Sequence, residues 1–377
     1  MIPCQRHLFA IPRDVAYLNC AYMSPLSRDV VAAVDRGVRM KETPWTLTIP
    51  DFYDSVDEAR ALFAGIVNAD AEGVAMVPSA SYGIETAVRN LKLGPGRTVV
   101  TLADQFPSHV YPWRRMARDQ GGEVAIVTPP AGEAATEAVL AAIDERCAVA
   151  ALPNVLWTTG AYVDLVKVRA RCDEVGAALV LDLTQSAGAM VTDFAAIRPD
   201  FAVAASYKWL LGPYSTGFLY AAPHRRDGEP LEEGWIIRKD SRNFAELTNY
   251  TDEYEPGAIR YDMGERANFA LMPGVVAALR QIADWTTAEI EATLAARNAA
   301  LARRLEAIGL SPTPDGARGG HFLGCRLPEG APGDLVARLA AEGVHVSARS
   351  GSLRVTPHLW CDEEDDDRLV EALGRLL

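Results

Sequence analysis

The stretch that decides the fold is Ser206-Tyr207-Lys208-Trp209-Leu210-Leu211-Gly212-Pro213. The apolar run Phe201-Ala202-Val203-Ala204-Ala205 leads into it, and a second strand-like run, Thr216-Gly217-Phe218-Leu219-Tyr220, follows. Burial disfavours the ammonium form of a lysine and lowers its pKa. A lysine tuned in this way is a nucleophile that forms Schiff bases with carbonyls. Lys208 therefore has two readings: such a nucleophile, or a lysine snorkelling its amine out of a strand end.

Upstream, Ala178-Leu179-Val180-Leu181-Asp182-Leu183-Thr184-Gln185-Ser186-Ala187-Gly188 reads as a short buried strand ending in an aspartate. Alone, such an Asp is commonly a turn or helix cap. Beside a lysine on a neighbouring apolar strand it has a chemical use. Pyridoxal 5′-phosphate (PLP) works as an electron sink while its ring nitrogen holds a proton, and a nearby carboxylate keeps that proton in place. Open α/β sheets bind ligands beyond the carboxyl ends of their strands, where Asp182 would sit. The pair points to PLP as cofactor, with Lys208 and Asp182 as the catalytic residues.

Working outward, short apolar strands alternate with amphipathic helices from about Asp57 to Tyr220. Strands are expected at Val99–Leu102, Glu123–Val127 and Val149–Leu152. Helices are expected at Val56–Val67, Val110–Gln120 and Thr136–Ile143. This alternation implies βαβ units and a mostly parallel sheet. An irregular Gly/Pro/acid-rich stretch from about Ala222 to Pro256 leads to long Ala/Leu/Arg helices over Pro273–Ile308, then short strands and a last helix, Glu363–Leu377. The expected fold class is α/β: a large domain over 14–255 with a central sheet flanked by helices, and a smaller α+β domain from 1–13 and 256–377. The acid run Asp362–Asp367 reads as a solvated helix N-terminus, where negative charge is favoured.

Asp182-x-x-Gln185-Ser186-x-Gly188 together with Ser206-Tyr207-Lys208 resembles the class V aminotransferase family. These are fold-type-I PLP enzymes that include aminotransferases, cysteine desulfurases, kynureninases and epimerase-like or lyase members. The resemblance runs from Tyr17-Leu18-Asn19 to Leu353-Arg354-Val355. It is specific for PLP and poorly specific for the reaction. It implies a homodimer with shared active sites and several further roles. Ala80 and Ser81, after the strand-like Val74–Val77, would cradle the phosphate at a helix start, where an ordinary Ser N-cap is also expected. Tyr207 would give its hydroxyl to the same phosphate. Phe106 would stack on the cofactor face, or be a core aromatic. Gln185 would bond the cofactor's phenolic oxygen. Asn154 would touch cofactor or substrate carboxylate, and Trp157 would be a site wall or a core residue.

Near the C-terminus, Ser352-Leu353-Arg354-Val355-Thr356-Pro357-His358-Leu359 puts one arginine inside an apolar strand. A charge there is costly unless paired. A guanidinium fork binds carboxylates in bidentate fashion, and the resemblance gives Arg354 the substrate α-carboxylate; a salt bridge to an acidic neighbour is the alternative. Tyr261–Phe269 matches the segment that family dimers lend to the partner's site. Desulfurases carry Gly-Thr there, whereas this chain has Gly264-Glu265-Arg266. Arg266 is therefore expected to replace the Thr as a phosphate ligand, and Asn268 to contact substrate.

The six cysteines (Cys4, Cys20, Cys147, Cys172, Cys325, Cys361) lack CxxC spacing, so no structural metal is expected. A desulfurase needs a nucleophilic cysteine before the arginine strand. Val344–Ser352 contains none, and Cys325 lies in a strand-like run. The net charge of −13 argues against nucleic acid as partner and against an anionic membrane surface. No apolar h-region follows Met1-Ile2-Pro3, so a cytoplasmic location is expected. The expected function is a PLP-dependent enzyme on an α-amino acid, an aminotransferase first, with a kynureninase-like or C–S/Cβ lyase as the alternative. Phe106 and Tyr207 lean toward the lyase side. A PLP-binding protein without catalysis is the remaining reading.

Overall fold

The computed structural model describes residues 1–377. The first strand, β1 (Ala16–Tyr17), lies apart from the seven that follow. These are β2 (Val74–Val77), β3 (Thr98–Leu102), β4 (Glu123–Val127), β5 (Cys147–Pro153), β6 (Ala178–Asp182), β7 (Phe201–Ala205) and β8 (Gly217–Ala221). They form one sheet in the order β2-β8-β7-β6-β5-β3-β4. Strand β8 is antiparallel to both neighbours, and the other pairings are parallel. All strands but β8 therefore end on the same side of the sheet.

The strands read as continuous apolar runs because both faces are covered. On one face Ala75, Val77 and Val99 pack with α3 (Ala80–Arg89) and α4 (Tyr111–Gln120). On the other, Met76, Val100 and Leu152 pack with α2 (Asp54–Ile66), α5 (Thr136–Ala142) and α6 (Leu165–Val175); α1 (Arg28–Arg39) and α7 (Phe194–Ile197) are the remaining α-helices of this part of the chain. The contact of α3 with the sheet depends on Gly83, where a Cβ would meet Val203 Cγ1 at 2.4 Å. The stretch from 222 to 256 holds no α-helix or strand, as its composition implied.

The second domain carries α9 (Thr287–Ala307), α10 (Leu335–Ala341) and α11 (Glu363–Leu376) around a four-stranded sheet. Its strands β9 (Ser311–Pro312), β10 (Leu323–Arg326), β12 (Ser347–Arg349) and β13 (Ser352–Val355) are ordered β12-β13-β10-β9. The long helices expected over Pro273–Ile308 are two, and they part at Thr286, whose φ of 61° ends α8 (Met272–Trp285). The Thr286 side chain then accepts from Glu289 N and starts α9.

Both domain boundaries differ from the sequence expectation. Ala16 of β1 pairs in parallel with Val344 of β11 (Val344–His345), and Asn19 bridges Thr356. Residues 16 to 21 thus belong with the C-terminal domain, where Ala16, Leu18, Cys20 and Ala21 are core. Conversely, Met272, Val275, Val276 and Leu279 of α8 are buried in the core of the large domain. A two-residue strand has no detectable period, and an apolar helix face does not name its core. The acid run is also less solvated than expected. Asp365 and Asp366 are buried, paired with Arg6 at 3.0 Å and Arg297 at 2.7 Å.

Candidate active site

The loops that follow β2, β3, β5, β6 and β7 converge on one cavity of about 270 Å³. Its lining holds one basic and one acidic side chain, Lys208 and Asp182. Lys208 is 7% exposed. Its Nζ lies 5.5 Å from the ring centroids of both Phe106 and Tyr207. Burial lowers its pKa to about 8, opposed by the Asp182 charge and assisted by that of Arg354. About a tenth of such an amine is unprotonated at pH 7.

The turn that presents the lysine is tied down on several sides. Gly212 N donates to Ser206 O at 2.8 Å. Ser206 Oγ lies 2.8 Å from Pro213 O and 2.9 Å from Thr216 O. Gly188, at φ 93°, packs against it so closely that a Cβ would meet Trp209 O at 2.5 Å. Asp182 closes β6, and its Oδ1 accepts from Thr184 N at 3.0 Å. Thr184 Oγ1 accepts from Ala205 N at 3.1 Å, which fixes the ends of β6 and β7 together.

The N-terminus of α3 opens onto the same cavity through Ser79, Ala80 and Ser81. Ser79 Oγ caps the helix by accepting from Tyr82 N at 3.2 Å, and lies 2.9 Å from Ser81 Oγ. Backbone N–H groups and the helix dipole at such an end favour a phosphate. The donor set fits PLP: an amine of lowered pKa, one carboxylate and a helix N-terminus with two hydroxyls, all on one cavity.

Ala80, Ser81, Phe106, Trp157, Asp182, Gln185, Tyr207 and Lys208 are thus brought together. Phe106 meets Trp157 edge-on, 5.4 Å between centroids. The Gln185 amide is held by partners that fix its orientation. The donor-only indole of Trp209 gives to Oε1 at 2.9 Å, and Nε2 donates to Ala21 O at 3.0 Å. One N–H of Nε2 is left for a ligand. Gln105, Ser108, Thr184, Tyr214, Ser215 and Thr216 also line the cavity and were not singled out from sequence. Thr184 and Thr216 stood inside quoted stretches. The others are small polar or aromatic loop residues with no pattern of their own.

Four expected residues are not among those that line the cavity. Asn154 spends its Nδ2 on Val163 O at 2.9 Å, so it braces the loop between Pro153 and Val155 without lining the cavity. Arg354 lies behind Trp157, donating to its carbonyl at 2.9 Å with the guanidinium 5.5 Å from the indole. The alternative of an acidic partner for Arg354 is not realised: its remaining partner is Ser347 Oγ, at 3.0 Å from Nε and 2.7 Å from Nη2. Arg266 is engaged away from the cavity. It is 2% exposed, and its guanidinium bonds the buried Asp262 carboxylate, which also binds Arg60 at 2.9 Å. That ion cluster corrects the expectation of Arg266 as a phosphate ligand. Asn268 is exposed, and its Oδ1 accepts from Leu271 N at 3.1 Å at the start of α8. In this chain it acts at a helix end and does not line the cavity.

The chain matches the family model for Aminotransferase class-V over residues 46–360. It is 27% identical to a probable cysteine desulfurase of Methanothermobacter thermautotrophicus, over 66% of this chain and 63% of that protein. It is 29% identical to a kynureninase of Deinococcus radiodurans, over 69% and 64% respectively. The match therefore spans just under two thirds of the length of these relatives. Among solved structures it is similar to a C-DES mutant with glycine covalently linked to the PLP cofactor. That fold superposes with a TM-score of 0.88 at 18% identity, covering 99% of this chain and all of the other.

Proposed function

This chain belongs to the class-V aminotransferase family, and from that premise we propose that it is a PLP-dependent enzyme acting on an α-amino acid, by transamination. One observation carries the reading. The Lys208 amine, with its pKa lowered to about 8 by burial, shares a cavity with Asp182 and the N-terminus of α3.

Bound there, the cofactor supplies an electron sink for charge developing at the substrate Cα. The other work falls to residues of this chain. The α3 N-terminus with Ser79 and Ser81 holds the phosphate. Asp182 keeps a proton on the ring nitrogen. Gln185 offers its free N–H to the phenolic oxygen. Lys208 would anchor the cofactor and, as a free amine, would move a proton at the substrate Cα. Arg354 orients the substrate by its carboxylate. Phe106, Tyr207 and Trp157 exclude water around the amine.

Elimination at Cβ is the second reading: Phe106 and Tyr207, on which the chain resembles kynureninase-like members, both lie with their ring centroids 5.5 Å from the Lys208 amine. A persulfide route is not part of it. A tight turn at Ser350-Gly351 joins β12 to β13, with no room for a cysteine-bearing loop, and Cys325 is fully buried with its thiol pushed up to about 12. The proposal includes a homodimer. Trp45 and Tyr250 are 80% and 91% exposed, and Trp235 is also exposed, so these aromatics are free to meet a covering surface. No helix is long and apolar enough to cross a membrane. A cytoplasmic location remains part of the proposal.

The test is a panel of L-amino acids incubated with the PLP-loaded protein, with and without a keto-acid acceptor. Turnover that requires the acceptor is the expected result. Turnover without it, releasing pyruvate or alanine, replaces transamination by lyase chemistry. No turnover with any member overturns the amino-acid reading.

A further inference from the structure

The Arg354 guanidinium has five N–H donors in a fixed plane. Two of them, on Nε and Nη2, converge on Ser347 Oγ at 3.0 and 2.7 Å. A third, on Nη1, goes to Trp157 O at 2.9 Å. One N–H on Nη1 and one on Nη2 remain, and such a pair can meet both oxygens of a carboxylate. Ser347 can accept two hydrogens from the arginine only if its own hydrogen points elsewhere. It does: Ser347 Oγ donates to Asn19 Oδ1 at 2.8 Å. All three residues are buried, and no carboxylate takes part.

The backbone fixes this arrangement from three directions. Ser347 of β12 lies directly opposite Arg354 of β13. Asn19 is registered on the same strand, since Thr356 N donates to Leu18 O at 2.8 Å and Cys20 N to Thr356 O at 2.9 Å. The segment that carries Asn19 then continues to the lysine turn, where Ser24 N donates to Tyr207 O at 3.0 Å and Ala21 O receives Gln185 Nε2. The same few residues therefore touch both the arginine strand and the loop that bears Lys208.

We propose that Ser347, oriented by Asn19, is a positioning residue that turns the last two N–H groups of Arg354 toward the carboxylate of the substrate. The inference rests on the amino-acid reading above. Without the Ser347 oxygen, Nε and Nη2 lose their acceptor and the planar group rotates about its stem. Without Asn19, the Ser347 hydrogen has no fixed acceptor and competes with the arginine for the same space.

The experiment compares wild type, Ser347→Ala, Ser347→Thr and Asn19→Leu as PLP-loaded enzymes. The kinetic probe is the panel amino acid with the highest turnover, beside its α-amide, which lacks the carboxylate. Ser347→Ala is expected to lower kcat/KM about tenfold, mostly through KM. Asn19→Leu is expected to lower it severalfold in the same way, and Ser347→Thr to restore it. The already poor α-amide is expected to respond to none of these changes. Crystal structures of the same four proteins form a second arm that needs no substrate. The guanidinium is expected to be displaced in Ser347→Ala and to return to its place in Ser347→Thr. An unmoved guanidinium in Ser347→Ala overturns the inference, as does an equal loss for acid and amide. If no panel member turns over, the amino-acid reading fails and the crystallographic arm still judges the positioning role.

Discussion

Arg354 and Arg266 are both 2% exposed, yet their surroundings differ in kind. Around Arg266 a carboxylate is already in place. Asp262 accepts from Arg266, from Arg60 and from Met76 N. Burial pushes the Asp262 carboxyl up, but Arg60 and Arg266 outweigh burial and hold it below the usual carboxylate range. Around Arg354 every partner is a neutral oxygen, and burial together with the charge of Arg349 lowers its pKa to about 10. A buried guanidinium with its carboxylate already in place supports the fold. One without a carboxylate is costly for the fold and becomes useful when a ligand brings the missing charge. On the proposed reading, the difference separates a structural arginine from a binding one more sharply than burial or sequence position does.

The largest expected effect on this comparison is kinetic. Arg354→Met should raise KM for α-amino acids by about a hundredfold or more, while thermal unfolding changes little or shifts upward, because an unpaired buried charge has gone. A matching fall in stability would place Arg354 in the same class as Arg266. The reverse pattern is expected for Asp262→Ala. It leaves Arg266 buried without a counter-charge and Arg60 with only Asp57, at 3.9 Å, and should cost about 3–5 kcal/mol in denaturant unfolding. The pH dependence should follow. Asp262 is depressed in the folded state, so its contribution is present above its ordinary pKa and is lost as pH falls through the lower folded value. The acid limb of the wild-type unfolding profile should therefore flatten in Asp262→Asn. A smaller effect concerns the lysine. Its folded pKa of about 8 lies below the ordinary value, so the neutral amine gains population as pH rises. Capture of PLP by cofactor-free protein, followed by absorbance, should speed up by about tenfold per pH unit below 8 and level off above it. A rate still climbing beyond pH 10 would mean that the amine is not buried.

Much of the fold, and the pairing of Lys208 with Asp182 in one cavity, was legible in the sequence. Lys208 and Asp182 stand out because each interrupts or ends an apolar run, a signal carried by a few consecutive residues. The alternation of strand and helix up to Tyr220 was legible for the same local reason. What was not legible depends on partners far apart in the chain. Arg266 and Asp262 are four residues apart, but the third member, Arg60, is about two hundred residues away from Asp262. Ser347 and Asn19 are separated by 328 positions, and neither carries a pattern of its own. The short β1 and the destination of α8 were set by packing between segments from opposite ends of the chain. Asp365 and Asp366 looked like solvent-facing charge until Arg6 and Arg297 were placed against them.

The central claim is that the Lys208 amine carries the cofactor, and reduction tests it directly. Borohydride treatment of the PLP-loaded protein, followed by digestion and mass measurement of the peptides, should find the pyridoxyl group on Lys208 alone, and on no residue of Lys208→Ala. A protein that stays colourless in excess PLP, or a label on another lysine, would contradict the account.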